Sequence, residues 1–134
     1  MVKKVALIFG IGFLAFGVIG FLQSGSSMDA DPATAPRLLG LFPVNVLHNI
    51  VHLAFGVWGL LAARSYDGAR TYCRVGGIIY LVLAVVGVIS PNGFGLVPLG
   101  GHDIWLHVAL GVGLLAGSFL GGRDDVTAAH ARRV

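Results

Sequence analysis

Four apolar stretches separated by short polar links constrain this chain more than any other feature: approximately Val5 to Leu22, Leu41 to Ala63, Val75 to Ser90 and Ile104 to Gly121. Each comes close to the roughly 20 residues that carry an α-helix across about 30 Å of hydrocarbon. The third is the shortest and needs the start of Pro91-Asn92-Gly93, or some local bilayer thinning, to reach the far side. The expected fold is an all-α integral membrane protein: a single four-transmembrane-helix bundle over 1–134, with helices at about 5–22, 41–63, 75–92 and 104–121 and a short tail at 122–134.

Composition agrees. Only 11% of the residues are charged and 56% are hydrophobic, whereas a soluble globule draws about a quarter of its residues from the charged types. The 21 glycines suit lipid, where they let helix backbones approach closely. The single cysteine, Cys73, excludes an internal disulfide and a Cys-based zinc site. A net charge of +3 does not point to nucleic acid, because the basic residues are dispersed instead of forming one patch with interleaved aromatics.

Their dispersal encodes topology. Lys3 and Lys4 precede the first stretch, Arg64, Arg70 and Arg74 lie between the second and third, and Arg123, Arg132 and Arg133 follow the fourth, with Arg37 alone elsewhere. Basic residues in short loops stay in the cytoplasm, so both termini and the middle loop are expected inside and the loops 23–40 and 91–103 outside. The competing reading of the first stretch is a secretory signal, with Lys3-Lys4 as its basic start and Ala30 to Ala33 as a loose cleavage site. Its apolar run is longer than the 7–15 residues typical of such signals.

The second and fourth stretches repeat one another. His52-Leu-Ala-Phe-Gly-Val57 aligns with His107-Val-Ala-Leu-Gly-Val112, and the first and third match more weakly through Phe-Gly-Val-Ile and Val-Gly-Val-Ile. Two tandem helical hairpins, each beginning and ending inside, would be related by a pseudo-two-fold axis along the membrane normal. His52 and His107 would then lie at similar depth, and His48 becomes the counterpart of Asp103, each four residues before its histidine and on the same helical face.

Asn45, His48 and His52 fall on one stripe of the second helix, with Asn49 beside it, and Asp103 and His107 open the fourth helix from the same side. These groups converge in the outer half of the bilayer, where each ionisable side chain costs about 2.5–3.5 kcal/mol and needs a partner. Four solutions stay open. The groups can hydrogen-bond one another as interhelical glue; the imidazoles, with the carboxylate, can hold a transition metal; a histidine pair can ligate haem across the bundle, for which the chain is small; or the histidines can relay or sense protons.

The remaining marked residues carry simpler roles. Gly113, Gly117 and Gly121 form a ridge of small residues for close helix packing, Trp105 and Tyr72 suit interface anchors, and Tyr80 suits a hydrogen-bonded packing position. Pro43 fits an early helical position, His102 a loop, and His130 a solvated tail. No nucleophile has a base beside it and no phosphate-cradling loop is present, so an enzyme is not expected.

The segments Gly40-Leu-Phe-Pro-Val-Asn45-Val-Leu-His48-Asn49-Ile-Val-His52 and Asp103-Ile-Trp105-Leu-His107 resemble the bacterial membrane family known as domain of unknown function 4383. The resemblance spans most of the chain. It implies a four-helix protein of the bacterial cytoplasmic membrane with these motifs on its second and fourth helices, and it implies no activity, substrate or cofactor. The expected function is a non-enzymatic accessory or stabilising subunit of a larger membrane assembly or homo-oligomer, its hairpins tied together by the His/Asp cluster. The alternative is a metal- or haem-binding protein using His48, His52, Asp103 and His107, and the third reading is a small oligomeric transporter.

Overall fold

The computed structural model describes residues 1–120, and Gly121, the tail, His130 and the three C-terminal arginines lie outside them. Four helices carry the fold: α1 (Val2–Ser24), α2 (Val46–Ala62), α3 (Tyr66–Ile89) and α4 (His102–Ser118). Packing is closest within the pairs α1 with α2 and α3 with α4. Two helices, α1 and α3, are long and apolar enough to cross a membrane. At 23 and 24 residues they run for about 35 Å. Both α2 and α4 have 17 residues, about 25 Å.

These bounds correct the expected ones where polar residues enter a helix. The third helix is the longest of the four, not the shortest. It starts nine residues before Val75 because Ser65 caps it, its hydroxyl accepting from the Gly68 N–H at 3.0 Å, and Asp67 sits in the positively polarised first turn. Arg70, Tyr72 and Arg74 are therefore helical, and the middle loop shrinks to 63–65. Helix α3 stops at Ile89, so Pro91-Asn92-Gly93 belongs to the following loop.

The second helix starts later than expected. Residues 37–43 form a small antiparallel ribbon, β1 (Arg37–Leu38) paired with β2 (Phe42–Pro43). Its turn places Leu39 and Gly40 at φ 54° and 71°, a left-handed conformation that costs a leucine about 1–2 kcal/mol. Pro43 thus lies in the ribbon, not in the first turn of α2. Ahead of the ribbon, the Thr34 hydroxyl donates to Asp29 at 2.7 Å and holds that carboxyl below its usual range.

The helices turn large apolar side chains outward. Ile8, Leu22, Val88, Ile89, Trp105 and Phe119 are all at least 66% exposed. The interior mixes Phe13, Tyr72, Tyr80, Cys73 and Leu114 with buried Asn45, His48, Asn49, His52 and Asp103. Tyr72 is therefore a core residue set edge-on to Trp58 at 5.0 Å, not an interface anchor, while Trp105 is 73% exposed. Glycines set the helix separations. A Cβ on Gly10 would meet the α2 backbone at 2.9 Å, and one on Gly77 would meet the Gly111 carbonyl at 2.9 Å. Gly113 and Gly117 face Phe9 and Val5 of α1, which makes their ridge an intramolecular one; Gly121, the third expected member, is outside the described residues.

Candidate functional site

Three histidines from two helices converge inside the molecule. His48 and His52 stand one turn apart on α2, and His107 faces them from α4. One ligand-capable atom of each lies within 4.8 Å of the other two, and all three residues are at most 5% exposed. The His48 and His52 rings are edge to face at 4.7 Å, and the His48 and His107 rings are stacked at 5.9 Å.

Each ring is held by its own surroundings. Asn45 caps α2, its Oδ1 accepting the His48 N–H at 2.9 Å, and its amide donates to the Leu96 carbonyl at 2.9 Å. The expected stripe Asn45, His48, His52 is thus a cap followed by two helical positions. Asn49 donates to the Ser24 hydroxyl at 2.8 Å, fastening α2 to the end of α1. His52 is set against Phe13 at 5.6 Å and Phe16 at 5.8 Å. Tyr80 is stacked between Phe13 at 5.0 Å and His107 at 5.3 Å.

Asp103 stands beside the group. Its Oδ2 is 3.0 Å from His107 Nδ1 and 3.9 Å from His48 Nε2. It lies in the first turn of α4, where the helix dipole favours a carboxylate. The short distance to His107 lacks the alignment of a formed hydrogen bond, since both atoms remain without such a partner among the described residues. By the same geometric criterion the nitrogens of His48, Nε2 of His52 and the Tyr80 hydroxyl lack a partner among the described residues, although the Pro43 backbone lies close enough to act on the His48 ring. Tyr80 is accordingly a packing residue without the hydrogen bond expected for it. His102, expected in a loop, is instead the exposed first residue of α4.

A cavity of about 60 Å³ touches all three histidines and is also lined by Val51, Tyr80, Leu83, Val97 and Leu99. The last two come from the loop 90–101, which folds back through Leu99 and Gly100 N–H groups donating to the Pro91 carbonyl. That loop's contribution could not be found from apolar periodicity, because its reach over the site is fixed by turns and by the Asn45 amide.

The arrangement has the donor types of a transition-metal site, with ligand atoms within 4.8 Å of one another that would have to draw closer to reach zinc–imidazole bond lengths of about 2.0–2.1 Å. Zinc takes three imidazoles and keeps a fourth position open. A carboxylate on the far nitrogen of one ligand fixes that ring and raises its basicity. With the Asp103 carboxylate 3.0 Å from His107 Nδ1, Nε2 would be the nitrogen of that ring left to a metal. Removing the charge alone, Asp103→Asn, is therefore expected to weaken zinc binding about 10- to 100-fold, read by competition with a chromophoric chelator; unchanged affinity would remove Asp103 from that role.

A family model described as "Domain of unknown function (DUF4383)" matches residues 3–120. No curated protein matches the chain, and no solved structure does.

Proposed function

We propose, for a chain that belongs to the DUF4383 family and takes no activity from that membership, that it is a small membrane protein binding one divalent transition-metal ion through His48, His52 and His107. Asp103 orients His107 in this reading instead of serving as a fourth ligand. The carrying observation is the convergence of three buried imidazoles whose ligand atoms lie within 4.8 Å of one another while several of their nitrogens lack hydrogen-bond partners among the described residues. Interhelical glue, the role expected of the cluster, needs hydrogen bonds between its members. Metal ligation needs nitrogens that are not already engaged, and the unpartnered ring nitrogens favour it over glue. The preference of borderline metals for imidazole points to zinc, copper or iron.

The test is elemental analysis of protein purified in mild detergent without chelator, followed by cobalt(II) titration. One ion per chain and a tetrahedral cobalt spectrum are expected. Protein that is metal-free and takes up neither zinc nor cobalt would overturn the reading.

We further propose that all four helices lie in the bilayer, with both termini in the cytoplasm, in a single domain. The exposed apolar surface of α1, α3 and α4 supports this, as does the placement of Lys3, Lys4 and Arg64 at one end of the helices and Arg37 in the opposite loop. A lone cysteine introduced as Phe94→Cys in a Cys73→Ala background is expected to react with an impermeant maleimide from outside the cell, and Arg64→Cys only after lysis. The reverse pattern would invert the topology. The same apolar surface would serve contact with a larger membrane assembly.

A further inference from the structure

A second cavity lies on the other side of His52. It has a volume of about 210 Å³ and is walled by Phe9, Phe13 and Phe16 of α1 and by Leu106 and Leu110 of α4, with Ile8 and Gly12 at its rim. Ile8 is 67% exposed and Gly12 is exposed, so the cavity opens sideways on the apolar face and not toward either loop end. In the four-span reading that face meets lipid. Among the described residues, His52 alone lines both this cavity and the smaller one shared by the three histidines.

We infer that this cavity binds the ring of a lipid-soluble quinone, entering from the bilayer, with one carbonyl accepting a hydrogen bond from His52. Size comes first: an apolar cavity of about 150 Å³ takes a benzene ring, so about 210 Å³ takes one ring with small substituents. Chemistry narrows the class. Three phenylalanines offer faces and edges for a flat ring, and the walls carry one hydrogen-bonding group, an imidazole, beside otherwise apolar side chains. A ligand charged at this depth would lose its hydration without a counter-charge, whereas a neutral ring with a carbonyl matches both kinds of wall. An acyl chain would fill the space but would give the imidazole no acceptor.

His52 can serve both cavities because imidazole has two nitrogens. A neutral ring bound to metal through one keeps N–H at the other, free to donate to a carbonyl. This link between metal and quinone rests on the metal reading; the ring site itself does not, because an unmetallated neutral imidazole also carries one N–H.

The test uses the 134-residue chain in phosphatidylcholine nanodiscs, with duroquinone carrying labelled carbonyl carbons as probe and durene, a flat tetramethylbenzene with no carbonyl oxygen, as the comparison. One saturable duroquinone site per chain and a shifted carbonyl resonance are expected, with durene bound about threefold to tenfold more weakly, one hydrogen bond's worth. His52→Leu should remove that preference. Gly12→Phe should abolish binding of both, and it should fold, because a Cβ at Gly12 meets nothing within 4 Å. Leu110→Trp closes the same cavity from α4 and gives an independent check. Durene bound as tightly as duroquinone, or binding that survives both occluding variants, would overturn the proposal. Running the titration after chelation and again with zinc separates the two ideas. Failure to take up zinc sinks the metal reading while the chelated protein still reports on the ring site. Loss of duroquinone on zinc loading would overturn His52 as the bridge.

Discussion

Replacing His52 and His107 together by alanine is expected to reduce zinc affinity by at least 10⁴-fold and to erase the stabilisation that zinc confers. Structural zinc sites bind with about 10–16 kcal/mol spread over four ligands, so each ligand carries about 3 kcal/mol, or two orders of magnitude. His52 and His107 come from different helices, so removing both leaves His48 as the one remaining imidazole of the group. Metal that binds the folded state and not the unfolded one stabilises by about 4 kcal/mol at a thousandfold excess over its dissociation constant. Zinc should therefore raise the unfolding midpoint of the wild type and leave that of the double variant unmoved, with a chelator reversing the gain. A double variant that is stabilised by zinc as strongly as the wild type would show that the metal sits elsewhere. Truncating two large buried rings also leaves cavities, so the variant's lower midpoint without metal is not itself the signal; the response to zinc is.

The cluster was legible in the sequence because imidazoles and carboxylates in apolar stretches have few neutral uses. Spacing of four along a helix put His48 beneath His52 and Asp103 beneath His107, and the repeat brought the two pairs to one level. What spacing could not give is which atoms face one another. Spacing places Asp103 among the ligands, yet the three histidines form the compact group and the carboxylate lies beside it, 3.0 Å from His107 Nδ1. That distinction depends on side-chain rotation and on the approach of α4 to α2, neither of which periodicity encodes.

Helix ends failed for a different reason. Hydropathy registers where apolar residues stop, but hydrogen bonding decides where a helix stops. Ser65 and Asn45 are both strong capping residues, and a search for them would have moved the start of α3 back to Tyr66 and the start of α2 forward to Val46. The burial of Tyr72 follows from the same boundary. Once α3 begins at Tyr66, Tyr72 lies on the face that also buries Cys73 and Tyr80, and it packs on Trp58 instead of marking an interface. Glycine showed the opposite limit: its abundance announced close packing, while the partners of Gly10, Gly59, Gly77 and Gly111 required the three-dimensional fold.

Two glycines two residues apart on α1 are expected to respond oppositely to the same change. Gly10→Ile should destabilise the protein by about 3 kcal/mol, the upper end for overpacking, whereas Gly12→Ile should stay within about 0.5 kcal/mol. A Cβ at Gly10 would lie 2.9 Å from the Leu60 nitrogen, 3.0 Å from the Gly59 carbonyl carbon and 3.1 Å from the Gly56 oxygen. All three are backbone atoms of α2, so no side-chain rotation relieves the clash and α1 must move away from α2. A Cβ at Gly12 meets nothing within 4 Å. The consequence reaches the site, because α1 also carries Phe13 and Phe16, the rings against His52. Displacing them frees His52 to leave its orientation, so Gly10→Ile should weaken zinc binding as well as lower the unfolding midpoint, although no metal ligand is touched. Denaturation in mixed micelles, paired with a zinc titration of each variant, reads both effects. Equal stability of the two variants would mean that the close contact of α1 with α2 does not hold the bundle together, and reduced stability with unchanged zinc affinity would uncouple the aromatic wall from the histidines.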